Sequence, residues 1–144
     1  EVVARALRYA NEVLNGDGEP VRLLQLVAQA PMLLVSVKEG CGACDETKAM
    51  FEGVEMIAGR VRVQLLERTP PNGPDASRAH LWDDQGQVAQ SLGLNATPSA
   101  ILIAANGSIP ADPVYGTKQI RELIEGIEEA VAQTTPPPTS EIIS

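Results

Sequence analysis

The only two cysteines of this 144-residue chain lie three positions apart, in Cys41-Gly42-Ala43-Cys44. They sit where a strand hands over to a helix. Ahead of them runs Met32-Leu33-Leu34-Val35-Ser36-Val37, an apolar segment of strand length, and after them Asp45 to Ile57 carries apolar residues at helical spacing. A thiol just before a helix start faces backbone N–H groups that have no partner inside the helix, which favours the reactive thiolate. A pair with this spacing at this junction points to thiol–disulfide chemistry. The competing readings are an inert pair or half of a metal site. Zinc takes four ligands, and the chain offers two cysteines and the distant His80.

Composition narrows the alternatives. A formal charge of -8 argues against nucleic acid and against an anionic membrane surface, both of which call for a basic face. Aromatic residues make up 3% of the chain, so a core must be built from Leu, Ile, Val and Ala. The length suits one domain with one proper core. No apolar run approaches the roughly 20 residues needed to span a bilayer. The sequence opens at Glu1-Val2-Val3 with neither an initiator Met nor a signal peptide, so it is expected to be a processed product or a piece of something longer.

Along the chain, Val2, Val3, Ala6, Leu7, Ala10, Val13 and Leu14 read as one helical face, stopped by Asn15-Gly16-Asp17-Gly18-Glu19-Pro20. Val21 to Val27 suits either a short strand or a helical turn. After the cysteines, Cys44, Thr47, Met50, Phe51, Val54 and Ile57 share a helical face, with Asp45 and Glu46 in the first turn, where acidic groups suit the helix dipole. Val61, Val63 and Leu65 alternate with Arg62 and Gln64 as a strand does. Residues 67–80, with Thr69-Pro70-Pro71-Asn72-Gly73-Pro74, read as a surface loop that is either decoration or a substrate selector. Leu81-Trp82 reads as a short strand edge, Gln87 to Leu92 as a short helix and Ser99 to Ala104 as a second apolar strand. Asn106-Gly107 is a hairpin signal, and its returning arm, broken by Pro110 and Pro113, suits an edge strand. In the last helix Ile120, Leu123, Ile124, Ile127, Ala130 and Val131 form the buried face and Glu122, Glu125, Glu128 and Glu129 the wet one. The expected division is a helical extension at 1–16, one domain at 17–133 and a Pro/Thr/Ser-rich tail or spacer at 134–144.

This order, with Cys41-Gly42-Ala43-Cys44 after the first core strand and Thr97-Pro98 before the second, resembles the thioredoxin fold. More narrowly it resembles the extracytoplasmic TlpA, ResA and MauD-type thiol-disulfide oxidoreductases. Asp17-Gly18-Glu19-Pro20-Val21, Asp83-Asp84-Gln85-Gly86-Gln87-Val88-Ala89, Leu92-Gly93-Leu94, Thr97-Pro98-Ser99-Ala100-Ile101-Leu102-Ile103 and Asn106-Gly107 carry the likeness, over roughly residues 17–132. The resemblance implies an α/β thioredoxin-like fold. Its central mixed sheet, βαβ followed by ββα, is flanked by helices, here with an extra N-terminal helix. It implies Cys41 as nucleophile and Cys44 as resolving thiol, with Gly40, Gly42 and Ala43 shaping their loop. It further implies a cis Thr97-Pro98 bond beside the cysteines, whose backbone pairs with an extended substrate segment. Three positions depart from the family pattern. Gly40 stands where an aromatic usually precedes the first cysteine, Val35 where thioredoxins proper carry a buried acid, and Gln64 at the family position of a supporting lysine.

The expected activity is reduction of disulfides in proteins outside the cytoplasm, in the cell envelope or secreted, by a monomer that is membrane-tethered through a segment absent from this chain. Electrons would come from a membrane-bound donor. The Cys41–Cys44 disulfide would be the redox group, with no other cofactor and no metal. Glu39, Asp45 and Glu46 crowd the motif against Lys38 and Lys48, and a net negative neighbourhood opposes the thiolate. A moderate acidity of Cys41 and a reducing potential follow from that. A thiol oxidase or isomerase of the same fold, or a non-catalytic binding module whose loop and tail recruit a partner, are the alternatives. His80 reads as a solvated loop residue and Trp82 as packing.

Overall fold

Met32 to Val37 form a strand with all six residues buried, and the rest of the sheet is laid out around it. A computed structural model of the chain describes residues 11–15, 18–38, 42–67, 80–83 and 86–134. Their elements are β1 (Glu12–Leu14), β2 (Pro20–Arg22), α1 (Leu23–Val27), β3 (Met32–Val37), α2 (Gly42–Met50), β4 (Met56–Ile57), β5 (Val61–Glu67), β6 (His80–Trp82), α3 (Gln87–Ser91), β7 (Ser99–Ile103), β8 (Val114–Tyr115) and α4 (Thr117–Thr134). The sheet runs β2-β1-β6-β5-β3-β7-β8, with β4 added to β5. β3 pairs in parallel with β5 (Val35 opposite Leu65) and antiparallel with β7 (Ser36 opposite Ser99). The expected βαβ and ββα halves are therefore β3-α2-β5 and β7-β8-α4, joined in one mixed sheet.

Alternation along the strands splits the core into two layers. Met32, Leu34, Leu66, Leu81, Ile101 and Ile103 face one way and pack with residues of α1 and α3, such as Leu23, Val27, Val88 and Ala89. Leu33, Val35, Val37, Val63, Leu65 and Ala100 face the other way and pack with Cys44, Phe51, Ile120 and Ile127. Both layers are almost wholly aliphatic, as the scarcity of aromatics requires. Burying a Leu or Ile of this kind contributes about 1.5–3 kcal/mol.

Several local readings change. Glu12–Leu14 is a strand, paired with β2 and, at Leu14 opposite Trp82, with β6, so Val13 and Leu14 do not continue a helix. The remainder of the expected first helix, residues 1–10, lies outside the described residues, as do 68–79 of the loop expected at 67–80 and 135–144 of the tail expected at 134–144. Glu67 and His80 are strand residues instead, and Thr134 closes α4. Pro20–Val27 is both a strand and a helix, one after the other. Helix α2 ends at Met50, not Ile57, because its last turn tightens (Phe51 N–H to Lys48 O 3.1 Å, Glu52 N–H to Ala49 O 3.3 Å) and Gly53 turns the chain with φ +75°. Ile57 still reaches the core, 3% exposed, but from β4. β6 is an interior strand between β5 and β1, not an edge. Ala130, expected on the buried face of α4, is exposed.

Two turns are built as their residues suggest. Gly107 (φ +88°) follows Asn106, whose Oδ1 accepts the Ser108 N–H at 2.9 Å, and a Cβ at Gly107 would lie 2.7 Å from Leu24 Cδ2. Asp83 is 1% exposed, and its two carboxylate oxygens accept the N–H groups of Val88 (2.9 Å) and Ala89 (2.8 Å) at the start of α3. Those donors lack acceptors within their own helix, so the carboxylate satisfies them. Among the described residues no helix is long and apolar enough to cross a membrane.

Asp83→Ala strands both donors and is expected to lower unfolding stability by about 1–2 kcal/mol in urea titrations. Asp83→Asn, which keeps one acceptor oxygen, should lose less.

Candidate active site

β3 ends at Val37 and α2 begins at Gly42, so Gly42, Ala43 and Cys44 form the first turn of the helix that follows the central strand. Gly40 and Cys41 lie outside the described residues. Gly42 and Ala43 are exposed, and a Cβ on Gly42 would meet nothing within 4 Å, so no side chain crowds that position. Cys44 is 0% exposed and belongs to the layer with Val35, Val37, Leu65 and Ile120. The N–H groups of Gly42 to Asp45 have no acceptor within α2, which makes its start an electropositive end. Asp45 and Glu46, both exposed, set negative charge beside it.

The second half of the site arrives on β7. The Thr97–Pro98 bond is cis, Thr97 is half-buried and Pro98 buried. Ser99 is the Cα partner of Ser36 near the end of β3, which brings Pro98 to the end of the strand that leads into α2. Hydrogen bonds tie the two halves together through the start of α4. The Gly116 N–H donates to Pro98 O at 2.9 Å. Its neighbour Thr117 has its hydroxyl 3.3 Å from the carbonyl of Ala43, between the cysteines, and 3.0 Å from the Thr47 hydroxyl. Thr47, fully buried, donates to the same Ala43 carbonyl at 2.9 Å. Sequence reading placed Thr47 on the inner face of α2 but found neither this bond nor Thr117. A hydroxyl four residues after a carbonyl in a helix is the signal that was there to use.

Of the two strand positions at which the sequence departs from the resemblance, Val35 lies as expected and Gln64 does not. Val35 is in the layer of Cys44, so an aliphatic side chain stands where the resemblance would put an acid. Gln64 does not share that layer. It alternates with Val63 and Leu65, which do, and so faces the α1/α3 side, where it is 7% exposed. Counting by two from Leu65, the next β5 residue on the cysteine side is Glu67. Its carboxylate is held by Lys48 at 3.3 Å, with side-chain exposures of 11% and 28%. Lys48 stands one helical turn beyond Cys44 on the same face of α2. Sequence reading assigned Glu67 to the loop and missed this pair.

The two remaining residues of interest are on β6, opposite Leu65 and Glu67 of β5. His80 contributes backbone there, and its side chain lies outside the described residues. Trp82 is 3% exposed in the interior of the sheet. A cavity of ≈ 360 Å³ is lined by residues including Val21, Leu26, Met56, Gln64 and Leu81, none of them part of the cysteine site. Among the described residues no group of three His, Cys, Asp or Glu side chains is placed to hold a metal ion.

No protein-family model and no curated protein matches the sequence. Solved structures do match. The peroxidoxin BcpB of Mycobacterium tuberculosis superposes with a TM-score of 0.69 at 16% identity, over 90% of this chain and 99% of that one. The pneumococcal exposed lipoprotein thioredoxin of Streptococcus pneumoniae gives 0.62 at 16% identity, over 80% and 97%. A secreted disulfide oxidoreductase of Mycobacterium tuberculosis gives 0.58 at 13% identity, over 80% and 94%. At such identities the likeness establishes the fold: a thioredoxin-like α/β sandwich with a mixed sheet.

The Lys48–Glu67 pair sets a test of its own. Lys48→Met leaves a nearly buried carboxylate without that partner and should cost about 1–2 kcal/mol, discounted for the partial exposure of Lys48. Lys48→Met/Glu67→Gln should recover most of the loss when both are unfolded in urea.

Proposed function

We propose that this thioredoxin-fold chain is a thiol–disulfide oxidoreductase that reduces disulfides of extracytoplasmic proteins. The observation that carries the reading is the junction at α4. One short segment bonds both the peptide beside the fully buried Cys44 and the backbone of Pro98, so the two halves expected of such a site are fastened to each other.

Cys41 is the nucleophile and Cys44 the resolving thiol. The Cys41 thiolate attacks one sulfur of a substrate disulfide; that S–S bond breaks, a mixed disulfide forms, and the first substrate thiolate leaves. Cys44 then gives up its proton and attacks the Cys41 sulfur. The second substrate thiolate departs, taking the electron pair of the mixed disulfide. One leaving thiolate takes the Cys44 proton and the other the proton that Cys41 had lost to solvent. The chain is left as the Cys41–Cys44 disulfide, to be reduced by a dithiol donor, for which a membrane-bound protein is the class proposed. Burial of Cys44 supports this order, since a substrate cannot reach it first. Gly40, Gly42 and Ala43 shape the turn, and the backbone of Thr97 beside Pro98 pairs with an extended substrate segment. No other cofactor is needed.

The acidic pair Asp45 and Glu46 beside the helix start supports the reducing direction, because nearby negative charge disfavours the thiolate and strong oxidants of this chemistry owe their potential to a stabilised reduced form. The exposed lipoprotein thioredoxin and the secreted oxidoreductase among the structural neighbours support work outside the cytoplasm.

Cys44→Ser is expected to accumulate mixed disulfides through Cys41 when mixed with disulfide-bearing proteins, and Cys41→Ser/Cys44→Ser to accumulate none, as read by non-reducing electrophoresis. If Cys44→Ser traps nothing, the chain is a binding module instead. A potential of the Cys41–Cys44 couple near that of thioredoxin, about -270 mV, is expected; one near about -120 mV would make it an oxidase.

A further inference from the structure

The carbonyl oxygen of Ala43 accepts more hydrogen bonds than a helix requires. Within α2 it takes the Thr47 backbone N–H. It also accepts the Thr47 hydroxyl at 2.9 Å, and the Thr117 hydroxyl stands 3.3 Å from it and 3.0 Å from the Thr47 Oγ1. With the Thr47 proton on the carbonyl, Thr117 is left as the donor, either to that hydroxyl or to the carbonyl itself. Two hydroxyl protons are thereby directed, one directly and one directly or by relay, at a single peptide oxygen. Thr47 is 0% exposed, so little water competes for this arrangement.

That oxygen and the Cys44 N–H belong to the same peptide unit. Drawing electron density toward the oxygen strengthens the N–H as a donor, through the amide resonance that couples them. Counted from Gly42, the first residue of α2, Cys44 is the third helical position. The N–H of the second or third helical position is the kind of donor that a side chain just before a helix can meet, and it belongs to the electropositive end of the helix. In sequence, Cys41 immediately precedes Gly42, where α2 begins.

We propose that the Thr47–Thr117 hydroxyl pair positions the Ala43–Cys44 peptide and tunes the redox couple through it, strengthening the Cys44 N–H toward the Cys41 sulfur and stabilising the reduced form. Both threonines act as positioning residues, through the peptide oxygen they are bonded to. The inference rests on the thiol–disulfide reading given above. It assigns Thr117, more than 70 residues from the cysteines in sequence, to the control of their potential.

The test equilibrates the protein with glutathione buffers, where the Cys41–Cys44 disulfide plus two glutathiones gives the dithiol plus glutathione disulfide. In Thr47→Val/Thr117→Val, which keeps the side-chain shape and removes both hydroxyls, the constant for reduction should fall about threefold. At about 29.6 mV per tenfold, that is a potential ~14 mV more negative. The thiolate absorbance of Cys41 should titrate at higher pH in the same variant. Thr117→Ser keeps the hydroxyl and should match the wild type. Thr117→Val alone changes a half-buried side chain and should move both readouts in the same direction, which preserves the test if the double variant does not fold. Valine variants that melt like the wild type and share its potential and titration overturn the inference. A wild type that never equilibrates with glutathione strikes down the underlying thiol–disulfide reading, and the inference with it; the two failures are told apart by the wild-type curve.

Discussion

β3 is buried on both faces and hydrogen-bonded to a neighbour along each edge, and the site depends on that strand's register. A slip of one residue would exchange its faces, sending Val35 and Val37 away from the layer that holds Cys44 and turning Ser36 into it. The same slip would move Ser99, and with it Pro98, off the end of the strand. Because both faces are apolar apart from Ser36, what specifies the register is the pairing on each side: parallel to β5 through α2, antiparallel to β7 through the rest of the chain. The strand that leads into α2 and the proline before β7 are thus positioned by one set of ladder bonds.

Placing the chemistry at the strand's end, with aliphatic side chains beneath it, has an electrostatic consequence. Val35 in the core removes the need to bury a carboxylate far from water, which is costly without close partners. A charged group on the cysteine side is instead Glu67, at the C-terminal end of β5 opposite Val37, where Lys48 reaches it while keeping some contact with solvent. The acid has a partner and the pair has water at one side, a cheaper arrangement than full burial of both ions.

What could be read from the sequence was what depends on local pattern. The apolar run at 32–37, the periodic face of α4 and the Asn106-Gly107 turn each follow from one kind of periodicity or one backbone preference. Two errors came from patterns that fit two backbones. Val13 and Leu14 suit a helical face, yet pairing with β2 and β6 holds them in a strand. Ile57 suits the helix after the cysteines, yet Gly53 breaks that helix and β4 delivers Ile57 to the same core. The misassigned Gln64 was an error of register, since which of two adjacent strand residues faces the cysteines depends on pairing that the sequence does not display. Thr117 and Glu67 were missed because their partners are distant in the chain, and no local pattern connects Ala43 to residue 117 or Lys48 to residue 67.

The joint made by Gly116 and Thr117 also bears on the order in which the molecule comes into being. A chain made from its N-terminus presents both cysteines, and has all of β3 and α2 in hand, long before the segment that fastens Ala43 to Pro98 has been synthesised. Until then the thiols belong to an unfinished core, with the α4 side of the layer around Cys44 still open. The finished site is therefore a late property of an early sequence motif. Any account of how this chain matures has to protect two exposed sulfurs through that interval.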